Sequence, residues 1–208
     1  LGIQPARFWN LAGFRKTIHT RQILRNVNAL IHFIQWILQR TLATTSSCQP
    51  IMAMTIRKYQ ATDRERIIEL LRLNTPQYFS PKEETDLIQY LDWQAHNFFV
   101  LEVDGTVLGC GGFNLTKDGE MAYLSWGFVD PQSQGKGLGT ALTRFRIQRI
   151  REIEGVKMIA VPTSQLTYPF YQRFGLKLIE VVKDFWDIGL DLYHLESYIQ
   201  SVSIPLSE

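Results

Sequence analysis

The sequence predicts an α/β domain with a mixed central sheet of about seven strands and flanking helices. Three observations carry that expectation. Two apolar runs, Phe98 to Val103 and Thr106 to Leu115, meet across Asp104-Gly105, a dipeptide preferred in two-residue hairpins. A third run, Tyr123 to Val129, is followed after Asp130-Pro131 by the glycine-rich stretch Gln134-Gly135-Lys136-Gly137-Leu138-Gly139. Beyond it, Leu138, Ala141, Leu142 and Phe145 recur at i, i+3, i+4 and i+7, the spacing of one helix face. The hairpins imply antiparallel neighbours, and the strand–loop–helix unit implies one parallel crossover.

The remaining elements follow in order. Thr55 to Tyr59 reads as a first strand, and Thr62 or Asp63 can cap a helix carrying Ile67, Ile68, Leu70 and Leu71. Asn74-Thr75-Pro76 interrupts it. Ser80 as N-cap and Pro81 as first helical residue start a second helix, with Leu87, Ile88 and Leu91 inside. A turn at Lys117-Asp118-Gly119 leads into a strand from Glu120 to Val129. The helix after the glycine loop runs to Glu154, with Gly155 as its stop. Val156 to Val161 is a strand, Ser164 to Phe174 a short helix ending at Gly175, and Leu176 to Asp184 and Leu190 to Tyr198 are the last strands. The order is β-α-α-β-β-β-α-β-α-β-β.

Composition narrows the class. A chain of 208 residues, 45% hydrophobic, is long enough for one good core with an appendage. A net charge of +2 gives no global field directed at nucleic acid, and none is expected as a partner. The charge is unevenly placed: no Asp or Glu precedes Asp63, while Arg7, Arg15, Lys16, Arg21, Arg25 and Arg40 all do. Cys48 and Cys110 stand apart, and the four histidines are scattered singly, so neither a disulfide framework nor a metal site is expected. A reduced, cytoplasmic setting fits that cysteine usage.

Residues 1–53 read as a basic N-terminal extension. Leu24, Val27, Leu30, Ile31, Ile34, Ile37 and Leu38 form an apolar stripe at helical spacing, and polar residues break every run short of a membrane span. Three readings compete: an organelle-targeting presequence, an amphipathic helix docking on a partner or membrane surface, or translated leader ahead of Met52 and Met54. A dispensable extension is the first expectation. Residues 41–50 are small and polar and form the linker. The domain itself is placed at 54–200, with 201–208 as a tail.

The glycine stretch carries the chemistry. Consecutive backbone amides in a tight turn, joined to the free amides of a helix start, form a site for a pyrophosphate. A nucleotide P-loop needs a Gly-Lys-Ser/Thr ending, which Lys136 between two glycines does not supply. A dinucleotide fingerprint needs its glycines directly after the strand. The pattern met by Gln134, Gly137 and Gly139 is [QR]-x-x-G-x-[GA], which resembles the acetyl-CoA motif of the GNAT superfamily of N-acetyltransferases. Ser164-Gln165-Leu166-Thr167-Tyr168-Pro169-Phe170-Tyr171-Gln172-Arg173-Phe174-Gly175-Leu176 resembles a second segment of that family, N-x-x-A-x-x-[FY]-Y-x-x-x-G-F, with Ser164 at the Asn position. The element order from residue 54 to 198 is the family's as well.

The resemblance implies a fold, a co-substrate and a set of roles. Acetyl-CoA is expected along Gln134, Gly135, Lys136, Gly137, Leu138, Gly139 and Thr140, with Lys136 and Arg144 adding charge near the phosphates. Its pantetheine arm is expected beside Phe128 and Val129, and Ser164 is a shorter substitute for a contacting Asn. Tyr171 is the expected general acid, since a phenol titrating at about 10 still holds its proton at neutral pH. The competing reading of Tyr171 is a packed aromatic beside Phe170 and Phe174, and Tyr168 is a weaker substitute for the role. The base is open. Several relatives carry a mid-strand glutamate where this chain has Tyr123. Glu120 is the nearest candidate, and its other reading is a solvated strand-edge residue.

The expected acceptor is the amine of a small molecule, amino acid or peptide. Tyr78, Phe79, Trp93 and Trp126 are candidates for an aromatic-lined pocket. A non-catalytic coenzyme-binding protein of the same fold is the alternative from another class, and a homodimer is an open possibility.

Overall fold

The computed structural model describes residues 53–205. The helix expected between Leu24 and Leu38, and the linker after it, lie outside the described residues. Seven strands form one sheet: β1 (Met54–Lys58), β2 (Phe98–Val103), β3 (Thr106–Leu115), β4 (Met121–Val129), β5 (Met158–Thr163), β6 (Lys177–Asp187) and β7 (Leu190–Tyr198). Their spatial order is β1-β2-β3-β4-β5-β7-β6. Every pairing is antiparallel except β4 on β5. The helices are α1 (Arg64–Asn74), α2 (Glu83–Trp93), α3 (Leu138–Arg151) and α4 (Tyr168–Gln172). This is the expected mixed sheet, with the parallel pair where the glycine loop and α3 make the crossover.

Local sequence explains most element boundaries. Asp104 and Gly105 both adopt positive φ, 49° and 78°, as a tight hairpin between right-twisted strands requires. Asp63 caps less directly than expected. A 3-10 turn, Ala61–Asp63, precedes α1, and the Asp63 carboxylate accepts from the Gln60 amide at 2.8 Å while pairing with Arg57. α2 begins at Glu83, later than a cap at Ser80 would place it, because Ser80 and Glu83 close a box across Pro81-Lys82. The Ser80 amide donates to Glu83 Oε2 at 2.7 Å, and Ser80 Oγ accepts from the Lys82 amide at 3.3 Å. Tyr90 takes the buried place expected for Ile88.

Alternation along the strands divides the core between two faces. Phe98 and Val100 of β2 join Cys110 and Phe128 against Ile67 and Leu71 of α1 and Leu87 and Tyr90 of α2. Phe99, one residue out of phase, points the other way and packs with Phe113, Leu124, Ile147 of α3 and Phe174. The chain beyond Tyr198 also belongs to the domain: Val202 is buried in that second cluster, and the Ser203 amide donates to the Phe174 carbonyl at 2.9 Å.

Two departures from regular pairing open the sheet at its centre. β4 and β5 pair only from Met121 to Tyr123 against Met158 to Ala160, and then each runs on without the other. On its other side β4 carries a bulge. Cys110 faces Phe128 and Gly112 faces Ser125, so Trp126 and Gly127 together stand opposite Gly111. Trp126 has a φ of 48°, which is rare for a bulky residue and absorbs the extra residue by bending the strand.

Candidate active site

The cleft opened between β4 and β5 has a volume of about 1300 Å³ and is lined from both faces of the sheet. Its floor includes Ser125 to Val129 of β4, Val161 to Thr163 at the end of β5, and Ser164 just after it. One wall is the glycine loop with the first turn of α3, and another is α4 with Tyr171. The loop between α1 and α2 reaches across. Tyr78 Oη donates to Gln134 Oε1 at 3.5 Å, and Ser80 Oγ donates to Asp187 Oδ2, at the end of β6, at 2.6 Å.

The glycine loop has the geometry of a phosphate cradle. Gly135 and Gly137 hold φ at 76° and 78°, a left-handed conformation that a side-chain-bearing residue adopts only at a cost. Nothing stands within 4 Å of where a Cβ would lie at either position, so the surface above the loop is open. The amides of Gly135, Lys136 and Gly137 find no backbone partner among the described residues. They stand at the N-terminus of α3, whose first-turn amides are free by construction. Leu138 anchors the loop by burying its side chain with Leu101, Val103 and Leu142. Free donors, an open surface and a helix N-terminus fit the pyrophosphate of acetyl-CoA. Lys136 and Arg144 also line the cleft.

The structure brings most predicted site residues to this one cleft. Phe128, Val129, Gln134 to Thr140, Ser164 and Tyr171 all line it. Ser164 is buried, with its Oγ 3.4 Å from Thr167 Oγ1. Tyr171 is 7% exposed and packs edge-on to Phe170 at 5.0 Å, yet its hydroxyl reaches toward β4. It lies 3.2 Å from the point where a Gly127 side chain would begin. Glu120 is the exception. It precedes β4 on the exposed surface, forms an ion pair with Lys157, and does not line the cleft. A solvated residue at a strand's start is free to pair with its neighbour and has no route to the bulge. Trp93 is likewise outside, 79% exposed, whereas Tyr78, Phe79 and Trp126 are inside. Phe79 stacks on Trp126 with ring centroids 6.2 Å apart.

Several residues of the site were not anticipated. Tyr90 Oη donates to Asn114 Oδ1 at 2.7 Å and lies 3.0 Å from Ser125 Oγ, linking α2 to the bulged strand. Burial pushes the Tyr90 phenol up, opposed by the Ser125 hydrogen bond and the nearby charge of Arg146. Glu83 lines the cleft, and burial raises its carboxyl above the usual range against the pull of the Ser80 amide. Arg146 of α3 is 1% exposed and lies beneath the bulge. A signal for it existed, because Arg146 falls four residues from both Leu142 and Ile150 on the buried stripe of α3. Glycines inside strands, here Gly111, Gly112 and Gly127, also mark a close approach of something to the backbone.

Comparison with known proteins places this arrangement. The model of the acetyltransferase (GNAT) family matches residues 67–176, more than half of the chain. The chain is 30% identical over 106 residues to an uncharacterized N-acetyltransferase of Methanocaldococcus jannaschii, covering 45% of this chain and 46% of that protein. It is 24% identical over 127 residues to an amino-acid acetyltransferase of Pasteurella multocida, covering 61% of this chain and 28% of that one. The chain thus spans less than half the length of these curated relatives. Among solved structures, N-acetylglutamate synthase from Neisseria gonorrhoeae, complexed with coenzyme A and N-acetyl-glutamate, shares the fold. The TM-score is 0.57 at 21% identity, over 71% of this chain and 35% of that one. With the family match running from α1 through the glycine loop and α4, and the sheet opened at the parallel crossover, the chain belongs to the acetyltransferase (GNAT) family.

Proposed function

We propose that this chain is an N-acetyltransferase that moves the acetyl group of acetyl-CoA directly to the amine of a small molecule, amino acid or peptide. The observation that carries the reading is the shared cleft. The glycine cradle at α3 and the hydroxyl of Tyr171 open onto the same unpaired stretch of β4. Acetyl-CoA supplies an activated acyl group as a thioester. The chain's own residues do the rest. The amides from Gly135 to Thr140 hold the pyrophosphate, and the open edge of β4 at Phe128 and Val129 aligns the pantetheine arm. A backbone N–H at the bulge is positioned to take up charge on the thioester oxygen, an interaction worth about 3 kcal/mol when preorganised. Tyr171 donates its proton to the departing sulfur. Glu83 and Asp86, both lining the cleft, provide carboxylates on the α2 side for the incoming amine.

The test is release of coenzyme A thiol from acetyl-CoA, followed with a panel of amines, amino acids and peptide N-termini. Acceptor-dependent release supports the reading and identifies the acceptor class. Tight acetyl-CoA binding with no release across the panel would favour a coenzyme-binding protein instead.

A further inference from the structure

Among the described residues, Arg146 is a buried cation without an anion. It is 1% exposed, and its partners are neutral: Thr143 Oγ1 at 3.0 Å, the Gly112 carbonyl at 3.3 Å and the Ser125 carbonyl at 3.4 Å. The two carbonyl contacts are long for N–H···O bonds, and Nε has no partner at all among the described residues. Burying a charge costs several kcal/mol unless a counter-charge and good hydrogen bonds offset it. Nothing in the packing requires a cation here, since an apolar side chain would suit the stripe between Leu142 and Ile150.

The neighbouring strands are nevertheless cut to fit it. A Cβ on Gly111 would lie 2.9 Å from Arg146 Nη1, and one on Gly127 would lie 2.9 Å from Nη2 and 3.0 Å from Nη1. The same point beside Gly127 is 3.2 Å from the Tyr171 hydroxyl. Gly127 is exposed, and both Arg146 and Tyr171 line the cleft. The missing side chain of Gly127 is therefore a window at which the two ends of the guanidinium fork and a phenol O–H converge. Among the described residues, the titratable groups facing Arg146 are Tyr90 from α2, Cys110 from β3 and Tyr171 from α4, none of them a carboxylate. Burial raises the Cys110 thiol and Arg146 opposes that rise, as it does for Tyr90, so its field reaches across the strands.

We propose that Arg146 is an electrostatic positioning residue for the leaving group, its buried charge beside Tyr171 stabilising the thiolate released from acetyl-CoA. The inference rests on the acetyl-transfer reading above. In the step it serves, the amine nitrogen forms a C–N bond with the acetyl carbon and the C–S bond breaks, leaving its electron pair on sulfur. Tyr171 gives its O–H proton to that sulfur. The proton lost by the amine passes to water, from which Tyr171 is reprotonated. Arg146 lowers the energy of the negative sulfur before the proton arrives, and a guanidinium keeps its charge in a buried site where an ammonium does not.

The experiment compares binding of coenzyme A with binding of desulfo-coenzyme A, which lacks the sulfur, by calorimetry from about pH 7 to 10, spanning the ordinary thiol range near 8.5. Wild type is expected to favour coenzyme A over the desulfo analogue increasingly as pH rises, by about tenfold for one unit of lowered thiol pKa. Arg146→Met is expected to flatten that ratio while the unliganded protein melts at the same temperature or higher, because a costly buried charge is gone. Arg146→Gln, which keeps hydrogen-bond donors without the charge, decides the matter if the methionine variant does not fold, by flattening the ratio in the same way. A flat ratio in wild type, or an equal rise in Arg146→Met with a lower melting temperature, overturns the proposal and leaves Arg146 a clamp on the bulge. If neither ligand binds wild type at any pH, the acetyl-transfer reading falls and this inference with it.

Discussion

The side-chain amide of Asn74, 2% exposed at the last turn of α1, donates to the carbonyl of Val129 at 3.0 Å. It also donates to the Leu70 carbonyl at 2.8 Å, while its oxygen accepts from Gln134 Nε2 at 3.5 Å. One buried amide thus ties the end of β4 and the entrance of the glycine loop to α1. Asn74→Ala leaves the Val129 carbonyl without that donor, and a loss of about 1–3 kcal/mol is expected. Chemical denaturation should show the midpoint falling with no change of slope. Acetyl-CoA affinity should fall as well, measured by calorimetry, because Gln134 loses its support.

A ligand that binds only the folded chain raises its melting temperature by mass action. Acetyl-CoA is expected to do so here, and Gly137→Glu to abolish the shift. The substitution sets a negative charge in the cradle and forces a side chain onto a φ of 78°, a conformation costing about 1–2 kcal/mol. The unliganded variant should therefore melt somewhat lower than the parent. An undiminished acetyl-CoA shift would place the phosphate site elsewhere.

Tyr171→Phe removes one oxygen and keeps the ring against Phe170 and Phe174. Stability and acetyl-CoA affinity should hold. Turnover should fall by about 10²–10⁴-fold, the range for loss of a positioned general acid. The fall belongs in kcat and not in KM, since the proton is needed only as the sulfur departs. Steady-state kinetics with any acceptor found in the amine panel checks this, and an unchanged kcat would reduce Tyr171 to packing.

Acid should weaken the domain at the start of α1. The Arg57 guanidinium holds the Asp63 carboxyl below its ordinary range, aided by the Gln60 amide and against the effect of burial. A carboxyl lowered on folding contributes stability that is complete above the unfolded value of about 3.9 and is lost as pH falls through the folded value. Arg57 is one-third exposed and also pairs with Glu102, so solvent screening limits the pair. Asp63→Asn is expected to cost about 1–2 kcal/mol at neutral pH and nothing at strongly acid pH. Denaturation midpoints across that range give the check.

Much of the domain was legible because its signals are local. Asp104-Gly105 fixes a hairpin through backbone conformation, and β2, β3 and β7 lie where alternation and turn residues put them. The glycine loop announces both a tight turn and a run of free amides at a helix start within a few residues. The second motif brings Ser164 and Tyr171 into the cleft with it. Less local features went unread. Asp63 looked like a helix cap, but its carboxylate closes the preceding turn and answers Arg57, a residue on another element. Glu120 carried two readings, a candidate base or a solvated strand-edge residue, and the structure pairs it with Lys157 at the exposed start of β4.

Sequence by itself determined the order of elements, the antiparallel hairpins, the parallel crossover and the glycine loop at its helix start, because each follows from periodicity or from glycine's conformational freedom. Tertiary structure alone decided what stands opposite what. The cleft exists because β4 and β5 part after Tyr123 and because Trp126 and Gly127 share one partner on β3, neither of which a single strand's residues specify. The same holds for Arg146. Its place on a helix face is visible in the spacing, but its neutral partners among the described residues and its meeting with Tyr171 at the bare Cα of Gly127 depend on three elements packed together. A buried charge takes its role from what surrounds it, and only the packed fold sets those surroundings.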